Sequence, residues 1–256
     1  MSGFRPAALI AARMGSSRFP GKTLADIAGR PMLSRLVERL RASPHVERVV
    51  LATTVLPEDD ALEAWCAAEA VSCYRGSAND VLGRLAGAAD RFACDPVIEV
   101  LGDNPLVHSA LVDGCVRIYD RGGVDYVATV TTEYPKAEAS LMRFPVGVRV
   151  QVIARAALIK CAELALTAQF REHATSYIAA HPEIFRTAFL EAAGEFADCH
   201  RPDLTFAVNH RENLDLIRGL FARCFSNNAN FSVGDAIRAF DGAPDLRRLM
   251  GEPARV

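Results

Sequence analysis

Three cations in ten residues, Arg13, Arg18 and Lys22, stand beside Gly15 and Gly21 directly after a short apolar run. Glycine reaches backbone conformations closed to other residues, so such a loop can turn its N–H groups inward on an anion while the side chains add fixed positive charge. The stretch AARMGSSRFPGKTLADIAGRPML, residues 11–33, holds four basic residues and three glycines in all. The chemistry this suits is binding of a compact polyanion such as a triphosphate. Neither G-x-G-x-x-G nor G-x-x-x-x-G-K-[ST] is present, so the loop is neither a dinucleotide fingerprint nor a P-loop.

A loop of this kind needs a rigid platform, and the pattern of apolar residues supplies one. Residues 7–12 read as a buried strand stopping at a Gly/Ser/Arg/Pro cluster. Pro31 then opens a helix with Leu33, Leu36, Val37 and Leu40 at i, i+3, i+4 and i+7, closed by Pro44. The alternation predicts strands at 48–53, 71–74, 96–101 and 126–130, with helices at 58–70, 79–92 and 109–120 between them. Strands joined by helical crossovers give a mostly parallel sheet covered on both faces. Ligands in such sheets bind at the carboxyl ends of the strands, which points to loops 13–30, 75–78 and 102–108. Beyond 130 the rhythm changes: a strand at 146–153 and helices at 155–164 and 171–180 suggest an inserted lid or dimerisation lobe at about 131–200. An apolar strand at 204–209 and a helix at 211–224 follow. No linker divides the chain, so 1–256 is expected to be a single domain.

Composition bounds the partners. The 256 residues carry 29 basic and 31 acidic side chains, so no overall field draws nucleic acid, and the basic loop is a local feature on a neutral body. Half of the residues are apolar, yet no run is long enough to span a membrane and no apolar h-region follows a basic start, so a protein neither secreted nor membrane-spanning is expected. Seven scattered cysteines without a C-x-x-C pair read as reduced thiols of a cytoplasmic protein. The six histidines show no zinc-ligand spacing.

The stretch IAARMGSSRFPGKTLADIAGRPMLSRLVERL, followed in order by ATTVLPEDDALEAWC, YRGSANDVLGRL, VLGDNPLVHSALVD and REHATSYI, resembles the cytidylyltransferases related to CMP-Kdo and CMP-acylneuraminate synthetases, the SpsF-type branch above all. The resemblance covers roughly residues 7–220 and implies an α/β, Rossmann-like nucleotide-diphospho-sugar transferase fold. It implies a Mg²⁺-dependent nucleotidyltransferase, CTP favoured, in which an oxygen of a sugar acid, sugar phosphate or related small anion attacks the α-phosphate and pyrophosphate leaves. The setting would be surface glycan or glycoconjugate synthesis, and the enzyme a homodimer.

Carried over position by position, Arg13, Ser17, Arg18 and Lys22 would hold the phosphates, with backbone donors from Gly15 and Ser16, in a nucleotide site that also takes in Ala11, Ala12 and Met14. Arg75, Ser77 and Asp80 would read the base or ribose, although an i,i+4 ion pair of Asp80 with Arg84 explains that pair equally well. Asp103 would bind the metal, or else cap the next helix. Asn209 stands where the CMP-sugar-acid enzymes have a second Asp ligand, and its carbonyl oxygen can still bind Mg²⁺. Arg13, Lys22 and Asp103 would carry the catalysis. Arg171, Glu172, His173 and Tyr177 would contact the acceptor, His173 and Tyr177 from one helix face. In FPVGVRVQVI, Val146, Arg149 and Gln151 replace three acidic residues of the branch, and Arg149 would favour an anionic acceptor. A glycosyltransferase of the similar fold, weakened by the lack of a D-x-D motif, and a nucleotide-binding relative with reduced chemistry are the competing readings.

Overall fold

Four consecutive residues of the opening apolar run, Ala7, Ala8, Leu9 and Ile10, are at most 2% exposed, because their strand lies at the middle of the sheet. The computed structural model describes residues 6–133, 141–226, 228 and 230–250. Its strands are β1 Ala7–Ala11, β2 Asp26–Ile27, β3 Arg30–Pro31, β4 Arg48–Thr54, β5 Ser72–Gly76, β6 Val97–Leu101, β7 Tyr126–Thr129, β8 Gln151–Ile153 and β9 Thr187–Leu190. Seven of them form one sheet in the order β5-β4-β1-β6-β8-β7-β9, while β2 and β3 make a separate small hairpin. β1 pairs in parallel with both β4 and β6, placing Leu9 between Val50 and Glu99. β8 enters antiparallel between β6 and β7, and β9 runs parallel to β7. The sheet is thus mixed but largely parallel, as the alternation predicted, and two strands of the 131–200 segment are built into it.

Helices cover both faces: α1 Met32–Arg41, α2 Asp60–Ala68, α3 Val81–Arg91, α4 Ser109–Tyr119, α5 Arg155–Leu164, α6 Ala168–Glu172, α7 Ser176–Ala180, α8 Arg211–Cys224, α9 Val233–Asp241 and α10 Pro244–Arg247. Successive residues of β1 point to opposite sides, so Ala8 and Ile10 join a core with α1, α4, α8 and α9, and Ala7 and Leu9 join a second with α3, α5 and α7. The predicted stripe of α1 is buried throughout, Leu33, Leu36 and Leu40 being fully inaccessible, each worth about 1.5–3 kcal/mol of burial.

Three predicted elements differ. The strand expected over 146–153 is reduced to Gln151–Ile153, with Val146 making only an isolated bridge to Thr205. The apolar segment 204–209 is extended but is no sheet strand: its amides bond to loops, Phe206 N–H to Val146 O at 2.7 Å and Val208 N–H to Asp103 O at 2.9 Å. The helix expected over 171–180 is two short helices broken at 173–175, where the Ser176 hydroxyl takes the His173 carbonyl at 2.6 Å. Residues 134–140 of the expected lobe lie outside the described residues.

Candidate active site

The chain leaves β1 and folds into a loop organised around Met14. The Met14 carbonyl accepts Ser16 N–H at 2.9 Å and Gly21 N–H at 3.0 Å, drawing the two arms together, and the left-handed Gly21 (φ +75°) starts the short helical turn Lys22–Leu24. The Thr23 hydroxyl donates to the Arg13 carbonyl at 3.1 Å, so the loop closes on its own stem. The same loop lines a cleft of about 290 Å³ at the carboxyl ends of the central strands through Ala11, Ala12, Arg13, Ser16, Ser17, Arg18 and Lys22.

Opposite the loop stand Asp103, at the end of β6, and Asn209, just before α8. Lys22 joins the two walls: its Nζ donates to Asp103 Oδ2 at 2.8 Å and to the Val208 carbonyl at 2.6 Å. The Asn213 carboxamide oxygen accepts Asn209 N–H at 3.2 Å and His210 N–H at 2.9 Å, which fixes the approach of Asn209 to the cleft. Glu172 and His173 complete a third wall, presented by the break between α6 and α7. Four permanent cations, Arg13, Arg18, Lys22 and Arg84, face two carboxylates, Asp103 and Glu172, leaving the cleft with a positive surplus suited to a polyanion.

One carboxylate and one carboxamide oxygen are a hard, sparse donor set. Among the described residues no group of three or more His, Cys, Asp or Glu could hold a metal. The set fits a hard divalent cation that keeps several waters and shares substrate phosphates, as Mg²⁺ does. Asp103 Oδ2 already accepts one cation, the Lys22 ammonium at 2.8 Å.

Several residues named from the sequence lie elsewhere. Met14 packs its side chain against the core, the Cβ position of Gly15 faces Glu58, and the Ser16 amide, expected to be a phosphate donor, is committed to Met14 O. Arg75 turns away from the cleft to Asp60 and Glu63, at 2.7 Å each, and to the carbonyls of Thr54 and Leu56; its hydrogen bonds to Asp60 and Glu63 raise its pKa. Ser77 is exposed and outside the cleft lining. Asp80 caps α3 by accepting Gly83 N–H at 2.7 Å and pairs with Arg171 at 3.3 Å, so the i,i+4 pair with Arg84 does not form.

Arg84 instead points inward, 3% exposed, bonded to the carbonyls of Ala52 at 3.2 Å and Ser77 at 2.6 Å. Burial first, and then the nearby Arg13 charge, lower its pKa. Helical spacing offers Arg84 a partner in Asp80 and so hides it in the sequence, and Thr23 and Val81, which line the cleft together with Gly102, carry no signal of their own there. Gly102 is legible in retrospect beside Asp103: a Cβ there would meet that of Ala12 at 2.6 Å, where β1 and β6 end side by side.

On the acceptor side, the helix break separates His173 from Tyr177. Tyr177 packs in an aromatic cluster with Phe170, His181 and Phe185, its ring 4.1 Å from that of His181, and is not in the cleft lining. Arg149 donates to Gln151 Oε1 at 2.7 Å and Thr175 Oγ1 at 2.6 Å, bracing the break from below rather than lining the cleft. Gln151 in turn donates to Glu99, a fully enclosed carboxyl whose pKa burial pushes up.

A cytidylyltransferase family profile matches residues 7–231. The spore coat polysaccharide biosynthesis protein SpsF of Bacillus subtilis (strain 168) is 30% identical over 242 residues, covering 93% of this chain and 94% of that protein. A 3-deoxy-manno-octulosonate cytidylyltransferase of Anaeromyxobacter sp. (strain Fw109-5) is 38% identical over 125 residues, covering 47% of this chain and 49% of that enzyme. In fold, a solved cytidylyltransferase structure from Leptospira borgpetersenii serovar Hardjo-bovis (strain JB197) superposes with a TM-score of 0.84 at 24% identity, over 99% of this chain and 100% of the other.

Proposed function

The chain belongs to the cytidylyltransferase family, and we propose that it transfers CMP from CTP to an oxygen of a small anionic acceptor, a sugar acid or sugar phosphate, in surface glycan or glycoconjugate synthesis. It is a nucleotidyltransferase. The acceptor oxygen attacks the α-phosphorus; a new O–P bond forms, the bond to the β-phosphate oxygen breaks, and its electron pair departs with pyrophosphate. No protein nucleophile is needed, so the residues act by positioning and by neutralising charge.

The observation that carries this reading is the convergence of Lys22 and Asp103 at 2.8 Å across the cleft, with Asn209 beside them. Arg13, Arg18 and Lys22 hold the phosphates, and the hydroxyls of Ser16 and Ser17 offer further donors. Asp103 and Asn209 would hold Mg²⁺, which when bound supplies charge neutralisation on the phosphates. Glu172 and His173 face the acceptor. The cytosine end is left to groups other than Arg75; Arg84, held on the Ala52 and Ser77 carbonyls, is the cleft cation on that side. Among the described residues no helix is long and apolar enough to cross a membrane. A cytoplasmic homodimer, paired through the 131–200 segment, completes the proposal.

The test is pyrophosphate release from CTP against a panel of sugar acids and sugar phosphates. Release is expected only when Mg²⁺, CTP and the right acceptor are present together. Tighter binding of a nucleotide sugar than of CTP contradicts the reading.

A further inference from the structure

Asp59 ends the short helical turn Pro57–Asp59 and directly precedes α2, where its side chain makes no capping bond to the helix, and it is fully buried. A carboxylate so enclosed has to be satisfied by hydrogen bonds. Its Oδ2 accepts Thr54 N–H at 3.1 Å and the Thr54 hydroxyl, and its Oδ1 accepts the N–H of Met14 at 2.6 Å. Thr54 is the last residue of β4 and is itself fully buried, so one oxygen is fixed to the sheet while the other reaches across 45 residues of sequence to the anion loop.

The residue it reaches is the hub of that loop. Met14 O gathers Ser16 N–H and Gly21 N–H, and Met14 directly follows Arg13, whose carbonyl takes the Thr23 hydroxyl. Holding the Met14 amide therefore fixes the plane from which Arg13, the Ser16–Arg18 arm and Lys22 are all directed into the cleft. Asp59 also lies within electrostatic reach of Arg84, the buried cation of the same cleft.

We propose that Asp59 is a positioning residue for nucleotidyl transfer, its carboxylate fixing the phosphate loop to the end of β4 through Met14; the proposal rests on the nucleotide-binding reading above. The isosteric Asp59→Asn isolates this role. A carboxylate accepts on both sides, whereas a carboxamide presents oxygen on one side and NH₂ on the other. One of the two backbone N–H groups, of Met14 or of Thr54, must then face a donor.

Two measurements test it. Hydrogen exchange of the ligand-free protein is expected to quicken in the peptide containing Met14–Gly21 in Asp59→Asn, with the strand β1 unchanged. Calorimetry is expected to show CTP affinity about 10-fold or more weaker, with CMP affinity much less affected, because the loop serves the outer phosphates. Asp60→Asn, which removes an exposed charge one residue on, should bind like the wild type. Should Asp59→Asn not fold, Thr54→Val, which removes the hydroxyl's bond to Asp59 together with the bond it accepts from Leu56 N–H, is expected to weaken CTP a few-fold in the same selective way.

Unchanged loop exchange and CTP affinity in the variants overturns the proposal, as does an equal loss for CTP and CMP that tracks a lower Tm. A wild type that binds neither CTP nor CMP overturns the functional reading and this proposal with it.

Discussion

The basic glycine-rich loop singles out Lys22 and the family resemblance singles out Asp103, and the cleft places the two side chains 2.8 Å apart. The Lys22 ammonium bonds the Asp103 carboxylate, so each group balances the other's charge inside the cleft. Asp103→Asn keeps the size and a carbonyl oxygen but removes the charge. The rate should fall about 10²-fold or more, the effect of losing one charged contact to the reacting phosphates, about 3 kcal/mol. Single-turnover pyrophosphate release measures it, and wild-type turnover at saturating Mg²⁺ would remove Asp103 from the metal site. Arg75 and Arg84 show where residue-level reading ran out. Both are arginines near the same loop, and what separates them is side-chain direction: Arg75 finds two carboxylates on the outside, while Arg84 is drawn inward by the Ala52 and Ser77 carbonyls. Spacing along a helix cannot reveal that choice.

Where apolar periodicity and end signals agree, the elements stand where the sequence predicts them, α5 and α8 with the same bounds. Those that failed share a cause. The segments 146–149 and 204–209 lie outside the sheet strands, and Val146 bonds to Leu204 and Phe206 while Val208 bonds to the Asp103 carbonyl. Their close approach depends on Gly147, at φ +92°, where a Cβ would lie 2.1 Å from Ala207 N and 2.4 Å from the Phe206 carbonyl carbon. Backbone cannot yield as a side chain would. Gly147→Ala is therefore expected to cost about 3 kcal/mol or more in urea denaturation and to disturb Asn209, two residues past Ala207. Wild-type stability would mean the two segments are not locked as described. The helix expected at 171–180 has a similar lesson: the Ser176 hydroxyl bonds locally to the His173 carbonyl while the Thr175 hydroxyl accepts from the distant Arg149, and no periodicity count weighs that competition.

At the scale of the molecule, the largely parallel sheet and its two helical layers followed from the strand–helix alternation, but the antiparallel entry of β8 beside β6 did not, since strand order is set by long-range packing. That entry has an energetic signature. Glu99 of β6 faces Gln151 of β8 inside the sheet, and burial raises its pKa. A carboxyl with a higher pKa folded than unfolded holds its proton more tightly in the native state. Its contribution is therefore best below the ordinary carboxylate range of about 4 and is lost as pH rises through the raised folded value. Glu99→Gln removes that loss, so its Tm advantage over the wild type should grow from about pH 4 toward neutrality. Parallel melting curves across that range would show that Glu99 does not titrate in this way.

The central claim, that the loop after β1 is the triphosphate site of a CTP-using enzyme, is tested most directly by calorimetry of CTP, UTP, GTP and ATP with Mg²⁺ on the wild type and on Lys22→Ala. Selective CTP binding that the variant loses is the predicted result. Equal CTP binding by both proteins, or binding of no triphosphate by the wild type, would contradict it.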